Sequence, residues 1–343
     1  MSDATIADTI NRLVAGEEIG RHGAAAALEL IMDGHVNEAQ TAAFLIALRG
    51  KGESPAEIAG LAEVIREKAV PVRAPDGPFV DTCGTGGGIS TFNISTAAAF
   101  VAAGAGVAVA KHGNRSSTSK SGSADVLEAL GADIDLHPDA VAECLAETGV
   151  GFMFAPRHHP SFKHVVPVRR ALGVHTVFNL IGPLANPAGA PRQVLGVADP
   201  AALGRIAAAL AELGSERALV VRGRDGMDEL STAEISDAYD VRDGTATHIR
   251  VDPAVLGITR PWPEALKGGE PHENAAVITA VLEGEPGAPR EVVALNAGAA
   301  IWIAGAAEDL AHGYETALRS IDGGAARERC AAFVAATKRL AAA

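Results

Sequence analysis

Within residues 79–125 a short apolar run twice empties into a donor-rich loop and then into a helix start, and few folds accommodate that pattern. Phe79 and Val80 read as the end of a buried strand, followed by Gly84, Thr85, Gly86, Gly87 and Gly88. Glycine has no Cβ, so its backbone can approach an anion closely and adopt positive φ without penalty. Asn93, Ile94, Ser95 and Thr96 then precede AAAFVAAGAG. A helix therefore begins near Asn93 or Ser95, with free N–H groups and the positive dipole end facing the loop. Two familiar versions are excluded. There is no Gly-x-x-x-x-Gly-Lys-Ser/Thr, and Ile89 stands where a dinucleotide fingerprint needs its third glycine.

The second run, VAVA at 107–110, ends in Lys111, His112, Gly113, Asn114 and Arg115. Ser116, Ser117, Thr118, Ser119, Lys120, Ser121, Gly122 and Ser123 follow before the helix ADVLEALG. Cations supply charge and hydroxyls supply directional hydrogen bonds, a mixture suited to a pyrophosphate and a ribose phosphate together.

Residues 81–125 resemble the anthranilate phosphoribosyltransferases, with GTGG at 84–87, NIST at 93–96 and KHGNR-x-x-x-S-x-SGSAD at 111–125. The family motif reads GTGGD; here Gly88 stands at the aspartate position and the loop to Asn93 is one residue shorter. The resemblance implies that phosphoribosyl diphosphate is held by Gly84, Gly87, Gly88, Thr91, Asn93, Ile94, Ser95, Thr96 and Ser123. To these it adds the run from Lys111 through His112, Gly113, Asn114, Arg115, Ser116, Ser117, Thr118 and Ser119.

The chain has 343 residues, 48% apolar and 21% charged, which suits a folded soluble protein of one large domain, or a large and a small one. Cys83, Cys144 and Cys330 match no metal spacing and no disulfide framework, and point to a reducing compartment. A formal charge of −13 disfavours nucleic acid over a broad surface. No signal segment or membrane span is read, so a cytoplasmic location is expected.

The expected fold is α/β: a small all-helical N-terminal domain, 1–70, and a large domain, 76–343, with a mostly parallel sheet covered by helices. Residues 5–69 place apolar side chains at helical spacing in four segments, with Asn37 or Ser54 as caps and Pro55 in a first turn. Their apolar faces suit packing on one another, on the larger domain or across a dimer; a homodimer through this domain is expected. PVRAPDGP, 71–78, reads as a hinge. Strand-like and helix-like segments then alternate: FVDTC, a helix over 95–104, VAVAKH, a helix over 124–130, ADIDL, PDAVAECLAETG and VGFMFAP. That alternation implies a parallel sheet with both phosphate-type loops at one edge.

VGFMFAP delivers Arg157, His158, His159 and His164 to that edge, with Arg169 and Arg170 beyond. No carboxylate is interleaved with the histidines, so aromatic-substrate contacts suit them better than a metal. By resemblance, anthranilate is bounded by Gly84, Asn114 and His159, and Arg169 pairs with its carboxylate. Residues 174–197 are rich in glycine and proline and resemble the segment that returns to the helical domain, a return expected near 164–188. After the helix PAALGRIAAALAELG and the strand RALVVRG come Asp228 and Glu229 in the pattern GxDE[LI]S. The resemblance implies that they bind Mg²⁺ with Ser95, two ions per subunit. EISDAYDVRDGTATHIRV reads as a hairpin turning at Asp243 and Gly244, and a helical tail runs from Leu310.

The implied reaction transfers the phosphoribosyl group of 5-phospho-α-D-ribose 1-diphosphate to the amine of anthranilate, in tryptophan biosynthesis. No acid/base residue is called for. The alternatives are a pyrimidine-nucleoside phosphorylase, or a non-catalytic relative binding a phosphorylated ligand or nucleic acid.

Overall fold

The computed structural model describes residues 5–116, 120–258 and 263–342. Four helices come first: α1 (Ile6–Val14), α2 (Gly20–Met32), α3 (Glu38–Lys51) and α4 (Pro55–Glu67). Asn37 caps α3 by accepting from the Gln40 amide, and Ser54 forms a reciprocal box with Glu57 at the start of α4. Each cap satisfies an amide that the helix leaves orphaned. Leu28, Phe44, Leu48, Ile58 and Ile65 are fully buried between these helices.

The sheet part then runs β1 (Phe79–Gly84), α5 (Ile94–Gly104), β2 (Ala108–Gly113), α6 (Ser123–Ala129), α7 (Pro138–Thr148) and β3 (Val150–Phe154). Three short helices follow: α8 (Ala155–His158), α9 (Val166–Leu172) and α10 (Phe178–Ile181). Next come β4 (Arg192–Gly196), α11 (Pro200–Glu212), β5 (Arg217–Gly223), β6 (Ser236–Arg242) and β7 (Thr245–Val251). The chain finishes with α12 (Pro271–Leu282), α13 (Ala288–Ile303), α14 (Leu310–Asp322) and α15 (Ala325–Ala341).

The seven strands form one sheet in the order β3-β2-β1-β4-β5-β6-β7, parallel from β3 to β5 and antiparallel through β6 and β7. Chain order runs outward from β1 through β2 to β3, then crosses to β4 on β1's other side. The crevice at such a reversal, beyond the strands' C-terminal ends, is where ligands bind in open α/β sheets. The β6–β7 hairpin turns at Asp243 (φ 52°) and Gly244 (φ 71°), the positive-φ pair of a tight type I′ turn.

One face of the sheet packs on α5, α12, α13, α14 and α15; the other shares a continuous apolar cluster with α11 and the N-terminal helices. The 160–184 stretch rests on that bundle, with contacts from α9 to α3 and from α10 to α4. Arg66 of α4 donates to the Leu184 carbonyl at 2.6 Å, and Arg49 of α3 to the His175 carbonyl at 2.6 Å.

Two local expectations fail. ADIDL is not a strand: Ala132, Ile134 and Leu136 are buried, but the amides of Asp133 and Asp135 go to Thr337 Oγ1 and Asp133 Oδ1 instead of a ladder. RQVLG, within a stretch read as glycine- and proline-rich, is the central strand β4. The C-terminal tail is helical from Leu310 as expected, in two helices separated at Gly323 and Gly324, the latter at φ +79°.

Candidate active site

A cleft of about 1090 Å³ opens at the C-terminal ends of β1 and β2. Every described residue assigned to phosphoribosyl diphosphate, anthranilate or a metal lines it, but His158 and His164, read with His159 as aromatic-substrate contacts, do not. His158 is fully buried with Nδ1 3.0 Å from the Val70 carbonyl oxygen, and His164 lies beside Gly34 of the helical domain. Ser117, Thr118 and Ser119 lie outside the described residues. On one side β1 ends in Gly84 and the loop bends through Gly86 (φ 66°) and Gly87 (φ 88°), where only glycine is unstrained. Helix α5 starts at Ile94, so its first amides face the cleft. Thr96 Oγ1 is buried there with no hydrogen-bond partner among the described residues.

Lys111, on β2, reaches under this turn. It is 3% exposed, donates to the Thr82 carbonyl, and lies 3.2 Å from Ser95 Oγ. Burial pulls its ammonium toward the neutral form, and the charges of Asp81 and Glu229 oppose that. Asp81 is raised by burial, against Lys111 and the donors Asn186 Nδ2 at 2.8 Å and the His112 amide at 3.2 Å.

Asp228 and Glu229 face the glycine loop. Burial raises both; Glu229, with the Asp228 charge adding to desolvation, is pushed up to about 8. The Gly86 amide lies near Asp228 and the Ser95 amide near Glu229, each favouring the charged carboxylate against burial. Neither acid has a lysine or arginine ion-pair partner among the described residues. Two carboxylates held together, with only the nearby Lys111 charge acting on Glu229 to offset them, suit a hard divalent cation. The described residues contain no group of three metal-ligating side chains, so phosphate oxygens and water would complete such a shell.

The opposite wall is aromatic. His159 stacks on Phe162 at 5.1 Å between ring centroids, and Phe162 meets Phe178 edge-on at 5.4 Å. The Arg169 guanidinium lies 5.4 Å from the Phe178 centroid and has no carboxylate partner among the described residues; it reaches Asn179 Oδ1 at 3.4 Å. Such an arginine fits a planar aromatic acid, stacking below and forked charge above.

Two family models match: a glycosyl transferase family helical bundle domain over residues 7–69, and a glycosyl transferase family a/b domain over 76–327. The anthranilate phosphoribosyltransferase of Rubrobacter xylanophilus is 50% identical over 336 residues, covering 97% of this chain and 98% of that one. The chain belongs to the anthranilate phosphoribosyltransferase family. The crystal structure of that enzyme from Thermus thermophilus superposes with a TM-score of 0.90 at 44% identity, covering 96% of this chain and 99% of that one. The Saccharomyces cerevisiae anthranilate phosphoribosyltransferase, in complex with phosphoribosyl diphosphate and magnesium, gives 0.88 at 26% identity over 98% and 99% of the two chains.

Within this family's pattern, Gly88 replaces the loop aspartate, and the structure shows what fills the space. A Cβ at Gly88 would lie 2.8 Å from Asp228 Oδ1 and 2.9 Å from the Gly226 carbonyl. The next amide, Ile89, donates to that carbonyl at 3.2 Å. The shorter loop thus packs backbone directly on the acidic turn. On the turn's other side, a Cβ at Gly196 would stand 1.6 Å from the Asp228 carbonyl oxygen, so only glycine lets β4 pass there.

Arg115 and Asn93, both expected as ligand residues, have their side chains held by several protein partners. Arg115 bonds Asp125 at 2.9 Å and both oxygens of Glu128. Asn93 donates to the Ser121 carbonyl and accepts from Ser121 Oγ and Asn274 Nδ2 at 2.9 Å. Asn93 acts here as a strut between the phosphate-type loops. Sequence reading missed Phe162, Phe178, His175 and Lys267 on the cleft wall. Lys267 follows no strand-loop-helix pattern, and nothing local marked it.

Proposed function

We infer that this protein transfers the 5-phosphoribosyl group of 5-phospho-α-D-ribose 1-diphosphate to the amine of anthranilate, releasing pyrophosphate, in tryptophan biosynthesis. The observation that carries the reading is the meeting, around one cleft, of two anion-type loops, a pair of buried acids, and an arginine stacked on an aromatic wall.

Pyrophosphate departure leaves positive charge on the ribose, so the site must stabilise the leaving anion and hold the amine in line. The amides of Gly84, Gly87 and Gly88, the start of α5 and Lys111 would meet the first demand. Mg²⁺, two ions per subunit held by Ser95, Asp228 and Glu229, would neutralise pyrophosphate charge. Gly84, Asn114, His159 and Arg169 would bound anthranilate, Arg169 pairing with its carboxylate. The weakly basic amine is unprotonated at neutral pH and needs no general base. Residues 71–78 would let domain 1–70, with 164–188, close on domain 76–343 and exclude water.

The enzyme would act in the cytoplasm as a homodimer through its helical domain. Exposed Val14, Ile46 and Val166 on that side support the contact, and no helix among the described residues is long and apolar enough to cross a membrane. Loss of anthranilate fluorescence on adding phosphoribosyl diphosphate and Mg²⁺ tests the reaction; a wild-type chain that leaves the fluorescence unchanged overturns it.

A further inference from the structure

Among the described residues, five cationic side chains line the cleft. Lys111 lies beneath Ser95 beside Asp81, Arg115 is paired with Asp125 and Glu128, Lys120 meets Glu270 at 3.2 Å, and Arg169 stacks on Phe178 on the aromatic wall, away from the glycine loop. The fifth, Lys267, is exposed and has no ion-pair partner among the described residues.

Its backbone is nevertheless fixed against the anion-binding turn. Lys267 forms an antiparallel bridge with Thr91, the Phe92 amide donates to the Leu266 carbonyl at 3.2 Å, and the Gly268 amide to the Ser90 carbonyl at 3.3 Å. A Cβ at Gly268 would lie 2.1 Å from the Thr91 carbonyl oxygen, so the two strands touch backbone to backbone. Asn274, 2% exposed at the start of α12, fastens the same corner: Nδ2 donates to Asn93 Oδ1 at 2.9 Å, and Oδ1 accepts from the Gly269 amide at 2.7 Å. A free ammonium on a pinned backbone, bridged to Thr91 just before the start of α5, has the placement of an anion ligand and not of a drifting surface lysine.

We propose that Lys267 is a phosphate-binding residue of the phosphoribosyl diphosphate site. The segment before α12 then belongs to the substrate site, although it lies about 150 residues from the nearest phosphate-type loop in sequence. This inference rests on the transferase reading above. It requires only ionic and hydrogen-bond contact, in which the ammonium donates to a phosphate oxygen and no bond is made or broken.

The test compares wild type with Lys267→Ala and Lys267→Arg in steady-state assays and in calorimetric titration with phosphoribosyl diphosphate and Mg²⁺. Lys267→Ala is expected to raise the KM and Kd for phosphoribosyl diphosphate roughly tenfold, the loss of one charge-assisted hydrogen bond. The salt dependence of that KM should flatten, while the KM for anthranilate and the Tm hold, and Lys267→Arg should recover most of the affinity. Affinity for phosphoribosyl diphosphate within twofold of wild type in Lys267→Ala overturns the proposal, as does a joint rise of both KM values with a lowered Tm. A wild-type chain that consumes no anthranilate would sink the transferase reading instead, and the calorimetric comparison would still decide Lys267.

Discussion

The imidazoles of His112 and His159 meet Nε2 to Nε2 at 3.2 Å, buried at the join between β2 and the aromatic wall. One ring must donate and the other accept, so the pair is stable only while at least one is neutral. Desolvation pushes His159 down to about 4 and His112 well below the usual imidazole range, with His158 and Lys111 adding positive charge nearby. In the unfolded chain both titrate near 6.5.

Between about pH 6.5 and 4 the unfolded state therefore binds more protons than the folded one, and stability falls as pH falls through that window. The His159 shift alone corresponds to on the order of 3 kcal/mol at the acid end. Denaturant melts at pH 7, 6, 5 and 4 should show that slope, and His159→Gln should flatten it. Equal slopes in the two proteins would mean that His159 is not held neutral by burial.

A second prediction concerns Glu57. Its carboxylate is fully buried, 2.8 Å from Lys51 Nζ, and it accepts from the Ile19 amide at 3.0 Å and the Ser54 amide at 2.8 Å. Glu57→Ala leaves the buried Lys51 ammonium without a countercharge, with only the Gly52 carbonyl at 2.7 Å, and leaves two amides unpaired, a loss of about 3–5 kcal/mol. The double variant Glu57→Leu with Lys51→Met should recover much of it, because the isolated charge costs more than the pair contributes. Urea melts of the single and double variants check both statements.

The sequence made the phosphate side legible because its chemistry is local. Gly84 to Gly88, the 93–96 turn and Lys111 each follow a strand and precede a helix, and parallel pairing then forces them to one edge. Asp228 and Glu229 were legible through the resemblance alone, since adjacent acids after a strand are ordinarily solvated. What stayed hidden depends on long-range packing. The β4 strand is short and flanked by prolines and glycines, so only its pairing with β1 and β5 identifies it. Gly196 matters because Asp228 crosses it, and Lys267 because Thr91 pairs with it. Arg115 looked like a ligand from its motif, yet its guanidinium is held by Asp125 and Glu128, residues of the following helix.

Arg169 carries the third prediction. With Phe178 beneath it and no acid paired with it among the described residues, its guanidinium is placed to pair with the carboxylate of the aromatic substrate. Arg169→Ala should raise the KM for anthranilate roughly 10- to 100-fold, the range of a hydrogen bond to a charged group, and leave the KM for phosphoribosyl diphosphate near wild type. Arg169→Lys should recover only part, because an ammonium lacks the planar fork. A rise confined to phosphoribosyl diphosphate would move Arg169 to the other substrate.

Removal of Mg²⁺ supplies the fourth. Asp228 and Glu229 repel one another in a desolvated turn, and a divalent cation relieves that repulsion. Chelation should abolish transfer, and Asp228→Asn should require more Mg²⁺ for half-maximal rate while folding as well as wild type or better, since a buried charge has been removed. Full activity in chelator would exclude a metal role for the pair.

The last prediction concerns the shortened loop. At Gly88 the backbone lies against Asp228 Oδ1, the Gly226 carbonyl and the Asp228 amide, at 2.8, 2.9 and 3.0 Å from where a Cβ would stand. Two of these neighbours are backbone atoms, which cannot swing aside as a side chain does. Restoring the family's aspartate as Gly88→Asp would displace the acidic turn and add a third negative charge beside Asp228 and Glu229, so kcat/KM for phosphoribosyl diphosphate should fall by at least roughly tenfold. Gly88→Ala isolates the steric part and should lose less, whereas inserting one residue after Gly88 along with the aspartate lengthens the loop and should restore part of the activity. Wild-type kinetics in Gly88→Ala would show that the turn has slack here, and that the direct backbone packing does not position Asp228.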